Sequence, residues 1–358
     1  MRFIFKTRYD QDIALFKHAG QRFWYGLLLI ALLLAPAAVS EYMLSQLVFI
    51  CIYGIVGLGL MLLTGYTGQV SLGHAAFMAV GAYTHVLLVS HGWPFLLAIA
   101  AAALVAGAVG VVVGLPALRV RGIYLAIATM AFGFIVEEVT ARWESVTGGN
   151  SGLQVHAPVI AGFKFESTAA LYYLCLAFAV LATLVVLNLL RSPTGRAFVA
   201  IRDSEISAQS MGINLARYKT IAFALSAFLT GIAGALYAHQ IRFITPEQFT
   251  ILQSIELLLM VVIGGLGSIH GAFFGAAFII SLPQVITWFK DFLPDAIANA
   301  TGLRPVIFGA VMILVVLAEP YGIHGRWLKI RTYLQLFPFY RRGLFKRQKS
   351  FQKSDRLR

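Results

Sequence analysis

The chain has 358 residues, 59% of them hydrophobic and only 12% charged, and its mean hydropathy is +0.81. That excludes a soluble globular domain, in which about a quarter of residues are charged. The formal net charge of +13 invites a nucleic-acid reading, so where the charges sit has to decide.

Residues 1–22 are polar and carry Arg2, Lys6, Arg8, Lys17 and Arg22. Ten apolar runs follow, most of them near the 20 residues a helix needs to cross about 30 Å of hydrocarbon. They are Phe23–Val39, Gln46–Leu63, Val70–Val89, Phe95–Leu115, Ile123–Val139, Leu171–Leu190, Thr220–Ala238, Ile251–Leu266, Ile269–Phe289 and Pro305–Ala318. The first, with Ala35-Pro36-Ala37, loosely resembles a cleavable leader. Its long charged preface and the second apolar run at once behind it favour an uncleaved span. A β-barrel would show shorter, alternating segments. Cys51 and Cys175 both fall inside apolar runs, so neither a disulfide nor a metal site is expected.

If the chain starts inside and crosses ten times, the inner segments hold 23 of the 28 Lys and Arg. Cytoplasmic loops of membrane proteins collect these residues. The high charge is therefore topology, not nucleic-acid binding. The expectation is an all-α polytopic membrane protein of about ten spans with both termini cytoplasmic. Residues 1–22 form a cytoplasmic lead, 23–319 the membrane domain and 320–358 a basic tail, solvated or resting on anionic membrane lipid.

The most polar interruption is residues 191–219, RSPTGRAFVAIRDSEISAQSMGINLARYK. Within it, Ser204–Met211 reads as a short helix with Asp203 or Ser204 as cap, Glu205 in the first turn and Gly212 as a left-handed stop. Helical spacing puts Ser207, Ala208 and Met211 on one side. Such a loop either docks a soluble partner or merely connects two spans.

Two glycine-rich stretches stand out. In TGYTGQVSLGHAAFMAVGAY, Gly65, Gly68, Ser71 and His74 read as a helix break lining a path, or as a close helix contact. In IGGLGSIHGAFFGAAF, Gly264 and Gly265 loosen the end of one span, and Gly267, Gly271 and Gly275, four apart, read as a packing stripe. His74 and His270 read as packing residues rather than proton relays. Glu256 is the acid deepest in a span. It lines the route, pairs with Arg242 or Arg304, or caps the bundle near the outer interface. The sequence contains no G-x-x-x-x-G-K-[ST], H-E-x-x-H or G-x-S-x-G motif.

Five blocks in order, GLGLMLLTGYTGQVSLGHAAFMAVGAY, LRVRGIYLAIATMAFG, TGGNSGL, SPTGRAFVAIRDSEISAQSMGINLARYK and MVVIGGLGSIHGAFFGAAF, resemble the permease subunits of the branched-chain amino acid ABC importers, LivM type. The resemblance covers about residues 42–320. It implies a second permease subunit, two cytoplasmic ATPase subunits that bind the ATP and a periplasmic substrate-binding protein, in a bacterial inner membrane. It implies no cofactor on this chain and no chemistry on the solute. It makes Arg196, Asp203, Glu205, Ala208, Gly212 and Arg217 an ATPase-coupling loop. The family pattern is Glu-Ala-Ala, three variable residues, Gly. Here Ile206 and Ser207 take the first two places, Ala208 and Gly212 fit, and Glu205 comes one residue early. The same importer carrying urea, short amides or aromatic acids is an alternative, and an ion-coupled secondary carrier a further one.

Overall fold

The structure is a computed structural model that describes residues 19–117, 120, 122–160, 162–290, 303–319 and 321–336. The polar lead 1–18 and the tail beyond 336 lie outside the described residues.

The apolar runs are helical. They form α1 (Ala19–Ala38), α2 (Glu41–Leu60), α3 (His74–Ser90), α4 (Phe95–Ala117) and α5 (Ile123–Arg142). After the short α6 (Glu144–Thr147) come α7 (Thr168–Arg191), α8 (Pro193–Asp203), α9 (Glu205–Ser210) and α10 (Leu215–Ile241). The chain closes with α11 (Ile251–Gly264), α12 (Ile269–Lys290), α13 (Leu303–Ala318) and α14 (Gly322–Leu336). Caps set several starts. Ser40, Ser167 and Asn214 accept bonds from the Met43, Ala170 and Arg217 amides, so one orphan donor at each helix start is satisfied.

Among the described residues, seven helices are long and apolar enough to cross a membrane, and three shorter apolar ones lie within α1, α3 and α13. Together they coincide with the ten apolar runs. The third differs most, because residues 67–73 are not helical and α3 begins only at His74. The tail holds a helix as well: α14 starts right after the last apolar run, where Glu319 pairs with Arg326 at 2.6 Å and Lys329 at 3.3 Å. The described chain is not purely helical. At the end of the bundle opposite residues 191–219, β1 (Leu153–Gln154) pairs antiparallel with β4 (Phe243–Ile244), and β2 (Val159–Ile160) with β3 (Phe163–Lys164). Two-residue strands carry too little alternation to show in a sequence.

Helix α10 stands in the middle, packed most extensively on α4 and α3 and also on α2, while α2 bridges to α7 and α12. Among the seven long spans, α2 and α10 are the most enclosed and α5 the most open. The outer faces of α1, α5 and α13 present large apolar side chains such as Leu34, Ile135 and Leu314, as lipid contact requires. Apolar burial gives no net drive between helices already in lipid, so contact relies on close fit. Glycines supply it. A Cβ on Gly81 would overlap the Gly231 backbone, one on Gly234 the Met78 carbonyl, and one on Gly110 the Ala227 side chain.

Gly234→Val should therefore separate α3 from α10 and lower the thermal unfolding midpoint of the detergent-purified chain, by overpacking of about 1–3 kcal/mol or more. Gly309→Ala, with nothing near its added Cβ, should leave the midpoint unchanged or slightly higher.

Candidate functional site

The loop 191–219 is two helices, not one. Ser192 breaks the chain after α7 and Pro193 starts α8 at a position where its missing N–H costs nothing. Gly195 makes that corner, since a Cβ there would overlap the Leu190 backbone. Helix α8 buries Phe198 and Ile201, and Phe198 packs with Leu63, Leu125, Ala222 and Phe223. Helix α9 follows at once. The Ser204 hydroxyl accepts from the Ser207 amide at 3.3 Å. Gly212 stops it at φ +81°, and the Ile213 amide donates to the Ala208 carbonyl at 3.0 Å.

Two anchors fix α9. Glu205 pairs with the buried Lys219 Nζ at 2.6 Å, which ties α9 to the base of α10. Ala208 is 3% exposed and turns inward, while Ile206 is 77% and Met211 85% exposed. The expected single face of Ser207, Ala208 and Met211 is corrected here. Ser207 and Met211 stay exposed while Ala208, about a hundred degrees round the helix from Ser207, is buried. Arg196 and Arg217 are exposed on the same loop, Arg196 donating to the Arg191 carbonyl at 3.1 Å. Asp203 accepts from Arg202 Nε and Nη2 at 3.1 and 3.0 Å.

Arg202 is the residue that the sequence did not single out. Its Nη1 donates to the Gly65 carbonyl at 3.2 Å. That carbonyl lies in a π-helical turn, Met61–Tyr66, that ends α2. Helix ends leave carbonyls without intrahelical partners, and π turns recur at functional sites. Gly68 rests on the Arg202 stem, and Gly267 lies beside both Arg202 and Gly65. The Gly267 amide also meets Met61 Sδ at 3.0 Å, across 206 positions of chain. The two glycine-rich turns thus meet under one arginine.

Gly267 is accordingly not a member of a packing stripe. It sits in the turn before α12 at φ +80°. Gly271 and Gly275 do pack, one on the Gly264 carbonyl and the other on the Met260 carbonyl, which places Gly264 in the same contact. Gly265, at φ +112°, ends α11 and faces the Tyr321 backbone. Ser71 and His74 lie at the buried start of α3. His74 Nδ1 is 3.1 Å from Ser71 Oγ, and Nε2 is 2.7 Å from Ser226 Oγ on α10. Thr129 and Ser254 hydroxyls accept from the Leu72 and Ala75 amides at 2.9 and 3.0 Å. Side chains from three helices thus satisfy the broken start of α3.

Glu256 stands apart. Arg242, one of its expected partners, instead donates to the Glu166 carbonyl at 3.0 Å, held by its own left-handed backbone at the end of α10. The side chain of Arg304, the other, lies outside the described residues. Among the described residues no group of three His, Cys, Asp or Glu comes together.

Apolar helices of spanning length around a glycine-packed centre, with a polar helical pair at one end, define a multi-pass membrane protein. The comparisons give its family. A family described as the branched-chain amino acid transport system / permease component matches residues 42–316, and the chain belongs to it. It is 33% identical over 326 residues, 83% of this chain and 74% of the relative, to the high-affinity branched-chain amino acid transport system permease protein LivM of Escherichia coli (strain K12). It is 32% identical over 328 residues to the protein of the same name from Salmonella typhimurium, covering 85% of this chain and 75% of the relative. A 153-residue stretch, 40% of this chain and 42% of the relative, is 28% identical to the autoinducer 2 import system permease protein LsrC of Enterobacter sp. (strain 638). No solved structure matches.

Arg202→Ala should free the Gly65 carbonyl. Hydrogen exchange should then quicken in residues 61–68 and 264–268, by roughly tenfold or more, the scale of a lost charge-assisted hydrogen bond. Exchange across α4 should not change. Equal exchange in both turns would show that Arg202 does not hold them.

Proposed function

We propose that the chain is the permease subunit of an ATP-driven importer that moves branched-chain, hydrophobic amino acids across a bacterial inner membrane by alternating access. The observation that carries the reading is α9: a capped helix presenting Ile206 outward, with Met211 exposed just past its end, and fastened by Glu205 to the base of the central helix. Exposed large apolar side chains on a polar loop suit docking of another protein. The docked partner is one of two cytoplasmic ATPase subunits, which hold the ATP. A second permease subunit completes the membrane part, and a periplasmic binding protein delivers the solute. The ten-span topology with both ends cytoplasmic is supported by 23 of 28 Lys and Arg falling on the inner side. Arg196, Asp203, Glu205, Ala208, Gly212 and Arg217 then belong to the coupling loop, with Arg202 carrying displacement of that loop to the Gly65 and Gly267 turns.

The partial likeness to a permease of an autoinducer 2 import system favours a second reading, the same machine with another cargo.

Labelled leucine should enter sealed vesicles only when the chain is present with permease, ATPase and binding-protein partners and ATP. Uptake by this chain alone, collapsed by an ionophore, would replace the importer reading with an ion-coupled carrier. In the full set, Gly212→Val should abolish uptake while the complex still inserts. Gly212 has open space around it, but a side chain at φ +81° strains the turn by about 1–3 kcal/mol and shifts α9. Normal uptake by that variant would remove Gly212 from the coupling role.

A further inference from the structure

The span that contains α11 runs Pro246–Gly264, 19 residues. Glu256 is the sixth residue of α11, roughly 8 Å along the axis from its start and 12 Å from its end at 1.5 Å per residue. A carboxylate at that depth is costly unless it faces protein or water. Yet Glu256 is only partly buried, and among the described residues it has neither hydrogen bond nor ion pair. Its neighbours on the same helix, Leu252 and Ile255, are exposed. This face of α11 therefore cannot lie against lipid alone. It needs water or a polar ligand there.

The surroundings give the ligand's chemistry. One turn away, Gln253 is 8% exposed. Its amide nitrogen reaches the Tyr53 hydroxyl at 3.5 Å, but its carbonyl oxygen Oε1 is buried with no hydrogen-bond partner among the described residues. Tyr53 sits near the middle of the α2 span and edge-on to Tyr237, with ring centres 6.3 Å apart. Glu256 is within electrostatic reach of both tyrosines. Buried polar atoms are normally paired. Here an unmatched acceptor and a carboxylate lie beside aromatic rings, and such acceptors call for a donor, preferably a cationic one.

We propose that Glu256, Gln253 and Tyr53 form a recognition station on the solute path. It takes the primary ammonium group of an amino acid on the Glu256 carboxylate and the Gln253 carbonyl, with the apolar side chain against Leu252 and Ile255. The station rests on the import reading above and sharpens it. An amino acid has the ammonium group this site asks for, whereas urea, simple amides and aromatic acids do not.

The test uses the complete transporter in sealed vesicles, with labelled leucine. Glu256→Gln keeps the shape and removes the charge. It should lower the initial uptake rate roughly tenfold or more, the scale of a lost charge-assisted bond, while binding-protein-stimulated ATP hydrolysis continues. Glu256→Asp should recover part of the rate. In Glu256→Cys, a positively charged, membrane-impermeant thiosulfonate should react, against a background set by the buried Cys51 and Cys175, and leucine with ATP should slow it. Unchanged uptake by Glu256→Gln, a parallel loss of uptake and ATP hydrolysis, or no thiol reaction in any nucleotide state would overturn the station. Absence of ATP-dependent uptake in the unmutated transporter would instead overturn the import reading itself.

Discussion

The close approach of α3 and α4 to α10 is the constraint on which the structure depends. In lipid, two apolar helices gain little by exchanging lipid contacts for each other, so their association needs backbones near enough for many dispersion contacts. Gly81 and Gly234 give that proximity between α3 and α10, and Gly110 and Gly231 between α4 and α10. With α10 so enclosed, its neighbours can leave hydrogen-bonding groups beside it. The His74–Ser226 contact at 2.7 Å is one result, and the non-helical segment 67–73 is tolerated because protein, not lipid, surrounds it.

The central helix α10 is thus packed against α2, α3 and α4 at once. Helix α9 joins the base of α10 through Glu205 and the buried Lys219. Leaving a buried ammonium unpaired is strongly unfavourable, so the pair resists separation in a way a surface ion pair does not. Arg202 adds a second connection, from α8 to the π turn of α2 and to the turn before α12. These two connections meet in one small region at the α9 end of the bundle.

The sequence carried the large features because they rest on local chemistry. Apolar runs marked the helices, charge placement marked the sides, and Ser204 and Gly212 marked a short helix that the structure places at Glu205–Ser210. What it hid is non-local. Helix α8 has a polar average composition, and only its buried Phe198 and Ile201 show why it forms. The Arg202–Gly65 contact joins residues 137 positions apart, beyond any periodicity. Gly267 looked like part of a stripe because spacing alone cannot tell a turn from the first residue of a helix. Arg242 looked available to Glu256 until the end of α10 turned it toward Glu166.

The central claim is that α9 and α10 move as one body. Spin labels at Ser210 on α9 and Phe243 just beyond α10, both exposed, would report their separation by pulsed dipolar spectroscopy in the assembled complex. The account predicts the same distance without nucleotide and with ATP, while the distance from Ser210 to a label at Ile135 on the peripheral α5 changes. A nucleotide-dependent change between Ser210 and Phe243, with Ser210 to Ile135 fixed, would contradict it.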